Sequence, residues 1–369
     1  MNIEIIHDTE VSEDREKCCA YPQAAVLGDR KIVVVYRRGE TKHSFDGTLI
    51  MQTSDDQMRT WSRPRVVFDG RREVPQRAVI AGGIGECGDG RLLVTVNTVE
   101  APEDEKLYLF SKEGNRLGRR ILAIYSDDGG ESWSRPGVID TTGWHKAGFS
   151  TSPVVMPDGQ TLVPLNLFSK TDVLSSGGTF TRDGQSFEPP TAWTTDPDDR
   201  FSYNDAFFEV FRDGTILMAM WTFRRGDEET QNVHLSWSHD CGRTWTPPGD
   251  SGMLGQLCAP RELDSGHLLA ATTWRRQLPG IYLWESRDAG ATWDLEAPIR
   301  FWDGDEDRVG TLTVNLKAEG RDRGVWKELE RFTFGVPNLL KLSDGSCSLI
   351  YYATAEGRIH IRSTRFRPV

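Results

Sequence analysis

The chain has 369 residues, of which 37% are hydrophobic, 27% charged and 10% aromatic, and its formal net charge is −11 at pH 7. This composition is typical of a globular protein with a sizeable core, and it excludes a chain dominated by disorder. The acidic balance argues against a nucleic-acid partner, because nucleic-acid-binding surfaces carry clustered basic residues.

The N-terminal stretch MNIEIIHD has no positively charged start followed by an apolar run. No later stretch is apolar over the length that a bilayer requires. We therefore expect no membrane partner and a cytoplasmic protein, although a secreted protein after removal of its leader would look the same.

A turn signal followed by an apolar strand occurs six times along the chain. The six turns are Gly28-Asp29, Asp89-Gly90, Asp158-Gly159, Asp213-Gly214, Ser265-Gly266 and Asp344-Gly345. Asp-Gly between apolar runs is a strong hairpin signal, because the glycine supplies a positive φ. The first four aspartates are 60, 69 and 55 residues apart, which suits one four-stranded antiparallel sheet per repeat. The pattern predicts an all-β, six-bladed β-propeller that spans residues 1–369 as a single domain.

A second repeat, SDDGGESW at 126–133, marks another turn in each unit. Copies begin at Ser54, Ser238 and Ser286, and a shortened copy runs from Thr181 to Phe187. We expect its aspartate to accept backbone N–H groups and its indole to pack between blades. The repeated carboxylates are therefore predicted to be architectural.

The last repeat lacks this turn, because only the strand RIHIRSTRF follows its apolar strand before the chain ends. The spare N-terminal strand IEIIH is predicted to complete the last blade and close the ring, which leaves no exposed edge. Residues 100–118 and 301–333 are polar insertions, which we expect to form loops over the site.

The predicted topology gathers polar side chains on the face opposite the turns, where first strands begin and second strands end. Arginines there would pair with carboxylates and aromatic rings would stack on sugars, which together indicate a pocket for an acidic carbohydrate. The candidates for substrate binding are Arg38, Arg77, His145, Tyr203, Trp221, Arg224, Trp274 and Arg275, and the candidates for catalysis are His43, Asp46 and Asp205.

The SDDGGESW turns resemble the Asp-box (BNR) repeats of the sialidase superfamily, and the resemblance extends through all six repeats. It implies that Asp46 stands at the acid/base position and Asp205 at the position of the glutamate that activates a tyrosine nucleophile. It also implies that Arg224 is the second of three carboxylate-binding arginines and that Arg275 or Arg276 is the third.

Two positions depart from the family pattern. Ala20 stands where the family has its first arginine, and Val336 stands near the expected place of the tyrosine nucleophile. We therefore predict a glycoside hydrolase that acts on a different acidic or neutral sugar. Asp46 would protonate the leaving oxygen, and Asp205 would activate water or act as the nucleophile.

Two alternatives stay open from the sequence. One is a polysaccharide lyase in which His43, His145 or a tyrosine is the base and an arginine neutralises a uronate carboxylate. The other is a propeller that binds carbohydrate without catalysis. The six cysteines are scattered without metal-ligand spacing, so we expect neither a metal nor another cofactor, and the sequence leaves the oligomeric state open.

Overall fold

A computed structural model describes residues 1–28, 31–102, 117–171, 173–304, 334–355 and 357–369. Its strands form six antiparallel sheets, which are the blades of a propeller. Within these residues the one helix is a 3₁₀ turn at Gly70–Arg72. The all-β propeller predicted from the turn signals is confirmed.

The first three blades follow one another along the chain. Blade 1 contains β2 (Cys18–Leu27), β3 (Lys31–Gly39), β4 (Thr48–Ser54) and β5 (Arg65–Asp69). Blade 2 contains β6 (Arg77–Glu86), β7 (Leu92–Glu100), β8 (Arg119–Ser126) and β9 (Gly137–Val138). Blade 3 contains β10 (Lys146–Phe149), β11 (Val154–Val155), β12 (Thr161–Phe168), β13 (Leu174–Thr181) and β14 (Thr191–Ala192), and both β10 and β11 pair with β12.

The last three blades complete the ring. Blade 4 contains β15 (Phe201–Val210), β16 (Ile216–Arg224), β17 (Asn232–Ser238) and β18 (Gly249–Leu254). Blade 5 contains β19 (Cys258–Glu262), β20 (Leu268–Trp274), β21 (Gly280–Ser286) and β22 (Ile299–Asp303). Blade 6 contains β23 (Gly335–Lys341), β24 (Cys347–Ala355), β25 (Arg358–Pro368) and the N-terminal strand β1 (Ile3–Glu10).

The N-terminal strand closes the ring, as the sequence predicts. β1 pairs antiparallel with β25 from Ile3 opposite Pro368 to Glu10 opposite Arg362. Glu10 also forms an ion pair with Arg358. The two ends of the chain are thus joined in one sheet, and β25 has no open edge.

The core consists of apolar layers between neighbouring blades. One cluster joins Val33 and Leu49 of blade 1 to Val94 of blade 2, and similar clusters join each later pair of blades. Both faces of each sheet are therefore covered, which explains why the second strands read as nearly continuous apolar runs.

The Asp-Gly turns connect the first and second strands of the blades. Their glycines have positive φ, between 77° and 86°, at Gly90, Gly159, Gly214, Gly266 and Gly345. The first turn includes Asp29, which lies outside the described residues, as do residues 103–116 and 305–333 of the two predicted insertions.

The SDDGGESW turn connects the third and fourth strands through a compact hydrogen-bond pattern. In blade 4, the Ser238 hydroxyl accepts the Gly242 N–H at 2.9 Å and donates to the Asp240 carboxylate at 2.8 Å. Asp240 also accepts the Thr244 N–H at 2.8 Å. The Trp245 ring lies 5.9 Å from Trp193 of blade 3. The carboxylate and the indole thus play the structural roles that the sequence predicts.

We call the side of the propeller that carries these turns the turn face. The opposite side, where first strands begin and second strands end, is the site face.

Candidate functional site

Bulges in three innermost strands shape the centre of the site face. In β2, β15 and β23, two residues oppose one residue of the neighbouring strand. The bulge residues Tyr21, Asp205 and Val336 have φ values of 56°, 43° and 49°. Non-glycine residues in this left-handed region cost of the order of 1–3 kcal/mol and concentrate at functional sites. The three bulges therefore mark equivalent positions of blades 1, 4 and 6.

A buried arginine fixes the loop that follows β3. Arg37 is 1% exposed, and it donates to Val79 O at 3.0 Å and to Thr41 O at 2.7 Å. It also donates to Ser44 O. A Cβ on Gly47 would lie 2.7 Å from Arg37 Nε, so the loop can close on the guanidinium only because this residue is glycine. The loop held in this way carries Lys42 and His43.

Two buried cations meet at a buried tyrosine. Lys42 and Arg275 are each 2% exposed, and Tyr352 is 1% exposed. Lys42 Nζ lies 5.1 Å from the centre of the Tyr352 ring, and Arg275 Nη2 lies 3.3 Å from the Tyr352 hydroxyl. Among the described residues, neither cation has a carboxylate within ion-pair distance. The cluster therefore carries positive charge without an acidic partner from the part of the chain that is described.

The two cations change the acidity of the tyrosine. Burial alone would raise the pKa of Tyr352, but the charges of Lys42 and Arg275, with hydrogen bonds from both, lower the pKa from its ordinary value. Arg275 is held in place because it donates to Phe334 O at 2.5 Å and to Gln256 Oε1. The two cations thus stabilise negative charge at this position, either on the Tyr352 oxygen or on a bound anion.

A second tyrosine completes this cluster. Tyr21 shares a hydrogen bond of 2.5 Å with His43 Nε2, and its ring lies 5.7 Å from the Tyr352 ring in an edge-on arrangement. Burial, followed by the charges of Lys42 and Arg37, holds the pKa of His43 well below its ordinary value. The imidazole is therefore neutral near pH 7 and able to exchange a proton with a neighbour.

Asp205 forms the acidic part of the site. Its Oδ1 accepts a hydrogen bond from Asn166 Nδ2 at 2.7 Å, and its own N–H donates to Asn166 Oδ1 at 3.0 Å. Asn204 Nδ2 lies 3.2 Å from its Oδ2. Burial raises the pKa of Asp205 to about 6, against a smaller opposing effect of the Asn166 hydrogen bond. A carboxyl with this pKa can act as an acid or a base near neutral pH.

Asp46 lies in the blade 1 loop and has a different environment. Its carboxylate accepts the Glu40 N–H at 3.0 Å and the Ser44 hydroxyl at 2.5 Å, and it lies 3.7 Å from Lys17 Nζ. Burial opposes ionisation, but these hydrogen bonds outweigh it and lower the pKa of Asp46. The carboxylate is therefore ionised and organises the loop.

Three of the predicted substrate-binding arginines are engaged in other contacts. Arg38 lies 3.6 Å from Asp14, on the opposite side of β3 from Arg37. Arg77 donates to Thr98 Oγ1 at 2.8 Å within blade 2. Arg224 is 53% exposed and pairs with Asp227 in the turn after β16. Of the four predicted arginines, the structure places Arg275 in the cluster with Tyr352.

The predicted aromatic and histidine positions are spread over the site face. Tyr203 is 2% exposed and packs on His234 inside blade 4. Trp221 lies opposite Asn204 in the β15 and β16 pair, and its buried Nε1 has no hydrogen-bond partner within the described part of the chain. Trp274 donates from Nε1 to Gln277 O at 3.1 Å, and His145 is exposed at the start of blade 3.

The candidate set from the sequence did not include Tyr21, Lys42, Asn166 or Tyr352. Asn166 and Tyr352 stand where second strands end on the site face, so the topology did carry a signal for them. No sequence pattern indicated Lys42, because it lies in a loop and the direction of its side chain depends on the Arg37 contacts.

Other kinds of site have less support. In the described part of the chain, no group of three or more His, Cys, Asp or Glu side chains is arranged to hold a metal ion. Burial raises the pKa of Cys18 to about 11 and of Cys19 to about 12, which disfavours a reactive thiolate. No helix among the described residues has the length and apolar character needed to cross a membrane.

Comparison with known proteins finds solved structures with a similar fold, several of which are sialidases. The sequence matches no family model and no curated protein sequence. A protein of unknown function from Dyadobacter fermentans is similar in structure, with a TM-score of 0.73 and 16% identity over 100% of this chain and 99% of that one. The intramolecular trans-sialidase from Ruminococcus gnavus, in complex with oseltamivir carboxylate, has a TM-score of 0.65 and 12% identity over 99% and 97% of the two chains.

Two longer sialidases are also similar. Hadza microbial sialidase Hz136 has a TM-score of 0.66 and 16% identity, and this chain spans 65% of its length. Trypanosoma rangeli sialidase in complex with sialic acid has a TM-score of 0.65 and 12% identity, and this chain spans 58% of its length. At these identities the likeness establishes a shared propeller fold.

Proposed function

We propose that the protein is a glycoside hydrolase that binds an acidic sugar at the centre of the site face. The observation that carries this proposal is the convergence of Lys42 and Arg275 on the Tyr352 hydroxyl without a carboxylate partner among the described residues. Buried charge is costly unless it is compensated. An anionic substrate group would supply that compensation, and uncharged sugars would not.

The structural neighbours support a carbohydrate ligand of this kind. One neighbour is described in complex with sialic acid and another with oseltamivir carboxylate, and both of these ligands are acidic. The proposal transfers the chemical class of the ligand to this chain and leaves the particular sugar to experiment.

The pKa directions favour particular roles for the site residues. Asp205, whose pKa is raised to about 6, would carry the proton for the leaving oxygen, whereas Asp46, whose pKa is lowered, would stay ionised and hold the loop. This distribution differs from the one expected from the sequence, in which Asp46 is the acid and Asp205 the base or nucleophile. Tyr352, whose pKa is lowered by the two cations, would stabilise the positive charge that develops at the anomeric carbon or form a bond to that carbon as its bond to the leaving oxygen breaks, after which water would release the sugar.

Hydrolysis of a panel of acidic aryl glycosides tests the proposal. The panel contains sialosides, glucuronides and galacturonides, with glucosides and galactosides as neutral counterparts. We expect turnover of an acidic member and a loss of about 10²–10⁴-fold in Lys42→Met and Tyr352→Phe. Arg224→Ala is the control, because this exposed arginine pairs with Asp227 away from the cluster. Preference for neutral glycosides, or full activity in both cluster variants, would contradict the proposal.

The geometry also favours a second candidate, a lyase that acts on uronate-containing glycans. Its support is the 2.5 Å contact between the Tyr21 hydroxyl and His43, beside a tyrosine of lowered pKa and two cations. In a lyase the cations would neutralise the uronate carboxylate while a tyrosine or His43 removed the neighbouring proton. An increase in ultraviolet absorbance from an unsaturated product would identify this reaction, and reducing ends released without that increase would identify hydrolysis.

A further inference from the structure

A separate cavity lies on the propeller axis towards the turn face. Its volume is about 480 Å³, within the range of small-molecule pockets. The second halves of the innermost strands of all six blades line it, from residues 23–26 of blade 1 to residues 338–341 of blade 6.

Hydrogen bonds between blades lie at the end of this cavity nearer the site face. Gln23 Oε1 accepts both the N–H and the hydroxyl of Ser152 at 3.0 Å. Asn338 Nδ2 donates to Pro22 O at 2.9 Å, and its Oδ1 accepts the Ala24 N–H at 3.2 Å. Gln23, Ser152 and Asn338 line the cavity, and its lining contains neither the bulge residues nor Lys42, Arg275 and Tyr352. The cavity is therefore distinct from the Tyr352 cluster.

An ion pair between a buried carboxylate and a partly exposed arginine forms one wall. Glu209 is 4% exposed, and its carboxylate lies 2.5 Å from Arg261 Nη1 and accepts the Glu262 N–H at 2.8 Å. Arg261 Nε donates to Leu339 O at 3.1 Å. Arg261 Nη2 has no hydrogen-bond partner in the described ranges. Arg261 thus keeps free donors beside the cavity although its other nitrogens are fixed.

The cavity wall as a whole contains equal numbers of basic and acidic groups. Arg212 lies 3.8 Å from Glu262, and Glu86 contributes a carboxylate whose pKa is raised by burial. With Lys341, the lining contains three basic groups, at 212, 261 and 341, and three acidic groups, at 86, 209 and 262. Ala24, Phe207 and Pro260 add apolar surface. A ligand with a net charge gains little from a neutral wall, whereas hydroxyl groups can both accept from a guanidinium and donate to a carboxylate.

We propose that this axial cavity is a second binding site and that it takes an uncharged polyhydroxylated ligand of monosaccharide size. The inference does not rest on the function proposed for the site face. The paired guanidinium and carboxylate groups orient the hydroxyl groups, and the apolar residues cover the carbon skeleton of the ligand.

Direct binding measurements test the proposal. The uncharged probes are D-galactose, D-glucose and myo-inositol, and D-glucuronate and D-glucosamine are their charged counterparts, measured by saturation-transfer NMR and calorimetry. The double variant Glu209→Gln/Arg261→Met removes both members of the ion pair at nearly constant volume, so that the buried Glu209 carboxylate is not left without its partner. Glu86→Gln is a milder second variant on the opposite wall, and Asp205→Asn is the matched control on the site face.

We expect at least one uncharged probe to bind wild type and Asp205→Asn equally and to bind the double variant about tenfold more weakly. If the double variant does not fold, an affinity of Glu86→Gln for the same probe that is at least about threefold weaker than that of wild type supports the same conclusion. The proposal is wrong if no uncharged probe binds at millimolar concentration, if binding survives in the cavity variants, or if a charged probe binds more tightly than its uncharged counterpart. Loss of binding in Asp205→Asn alone would assign the probe to the site face.

Discussion

Replacing Asp205 by Asn tests whether burial holds this carboxyl in its neutral form. The pKa rises from 3.8 to about 6 in the folded protein. A rise of this size corresponds to about 3 kcal/mol in favour of the neutral form. Because Asp205 is partly accessible to solvent, water weakens the effect, and we expect about 1–3 kcal/mol.

The sign of the pH dependence of stability follows from the direction of the pKa shift of Asp205. The folded pKa lies above the unfolded one, so the contribution to stability is fully present below about pH 4 and is lost as the pH rises through about 6. The Asp205→Asn protein lacks this loss. Relative to wild type, its free energy of unfolding should therefore increase by about 1–3 kcal/mol between about pH 4 and about pH 7.5.

Urea denaturation of both proteins at the two pH values measures this difference. Asn can still accept the hydrogen bond from Asn166, so the local geometry is retained. Asp227→Asn is the control, because the hydrogen bond and charge of Arg224 lower the pKa of Asp227 from 3.8, so its effect on the free energy of unfolding should change little between the two pH values. Parallel stability curves for wild type and Asp205→Asn would refute the argument that burial perturbs this carboxyl.

Further predictions concern activity and packing. If Asp205 is the acid of the proposed hydrolysis, kcat/KM should fall as the pH rises through about 6, and a pH-independent rate in this range would exclude that role. Ser238→Ala should lower the free energy of unfolding, measured by urea denaturation, by about 1–3 kcal/mol, because it leaves the buried Gly242 N–H without its acceptor. The kcat should not change, and an unchanged free energy of unfolding would contradict the structural role of the turn. In Gly335→Ala the new Cβ would lie 2.5 Å from Arg275 Nη2, so activity on the acidic substrate should drop at least about tenfold. Gly345→Ala is the control, because Gly345 lies on the turn face with a φ of 77°, and this variant should be less stable but equally active. Equal activity losses in both glycine variants would argue against a specific effect on Arg275.

The propeller could be predicted from the sequence because its signals are local. A turn such as Asp213-Gly214 needs a positive φ, and a turn such as that at Ser238 satisfies its own backbone N–H groups. Neither depends on distant contacts. Six copies of such turns fix the number of sheets, and the spare strand at the N-terminus then has one edge left to fill, that of β25.

The site was only partly predictable, because side-chain direction near the axis depends on the bulges and on contacts between blades. The bulge at Tyr21 and Pro22 shifts the pairing between β2 and β3, so the strand pattern alone does not decide whether Arg37 or Arg38 points inward. Arg37 is the buried one. Lys42 reaches the axis because Arg37 binds carbonyl groups of the loop, and no sequence periodicity encodes that contact.

The convergence of Lys42 and Arg275 on Tyr352 is the claim on which the proposed function depends. Spectrophotometric titration of tyrosine ionisation, in wild type and in Tyr352→Phe, tests it without knowledge of the substrate. The account predicts that one tyrosine of the wild type ionises below the ordinary range and that this step is absent in Tyr352→Phe and moves to higher pH in Lys42→Met. Identical titrations of the three proteins would contradict it.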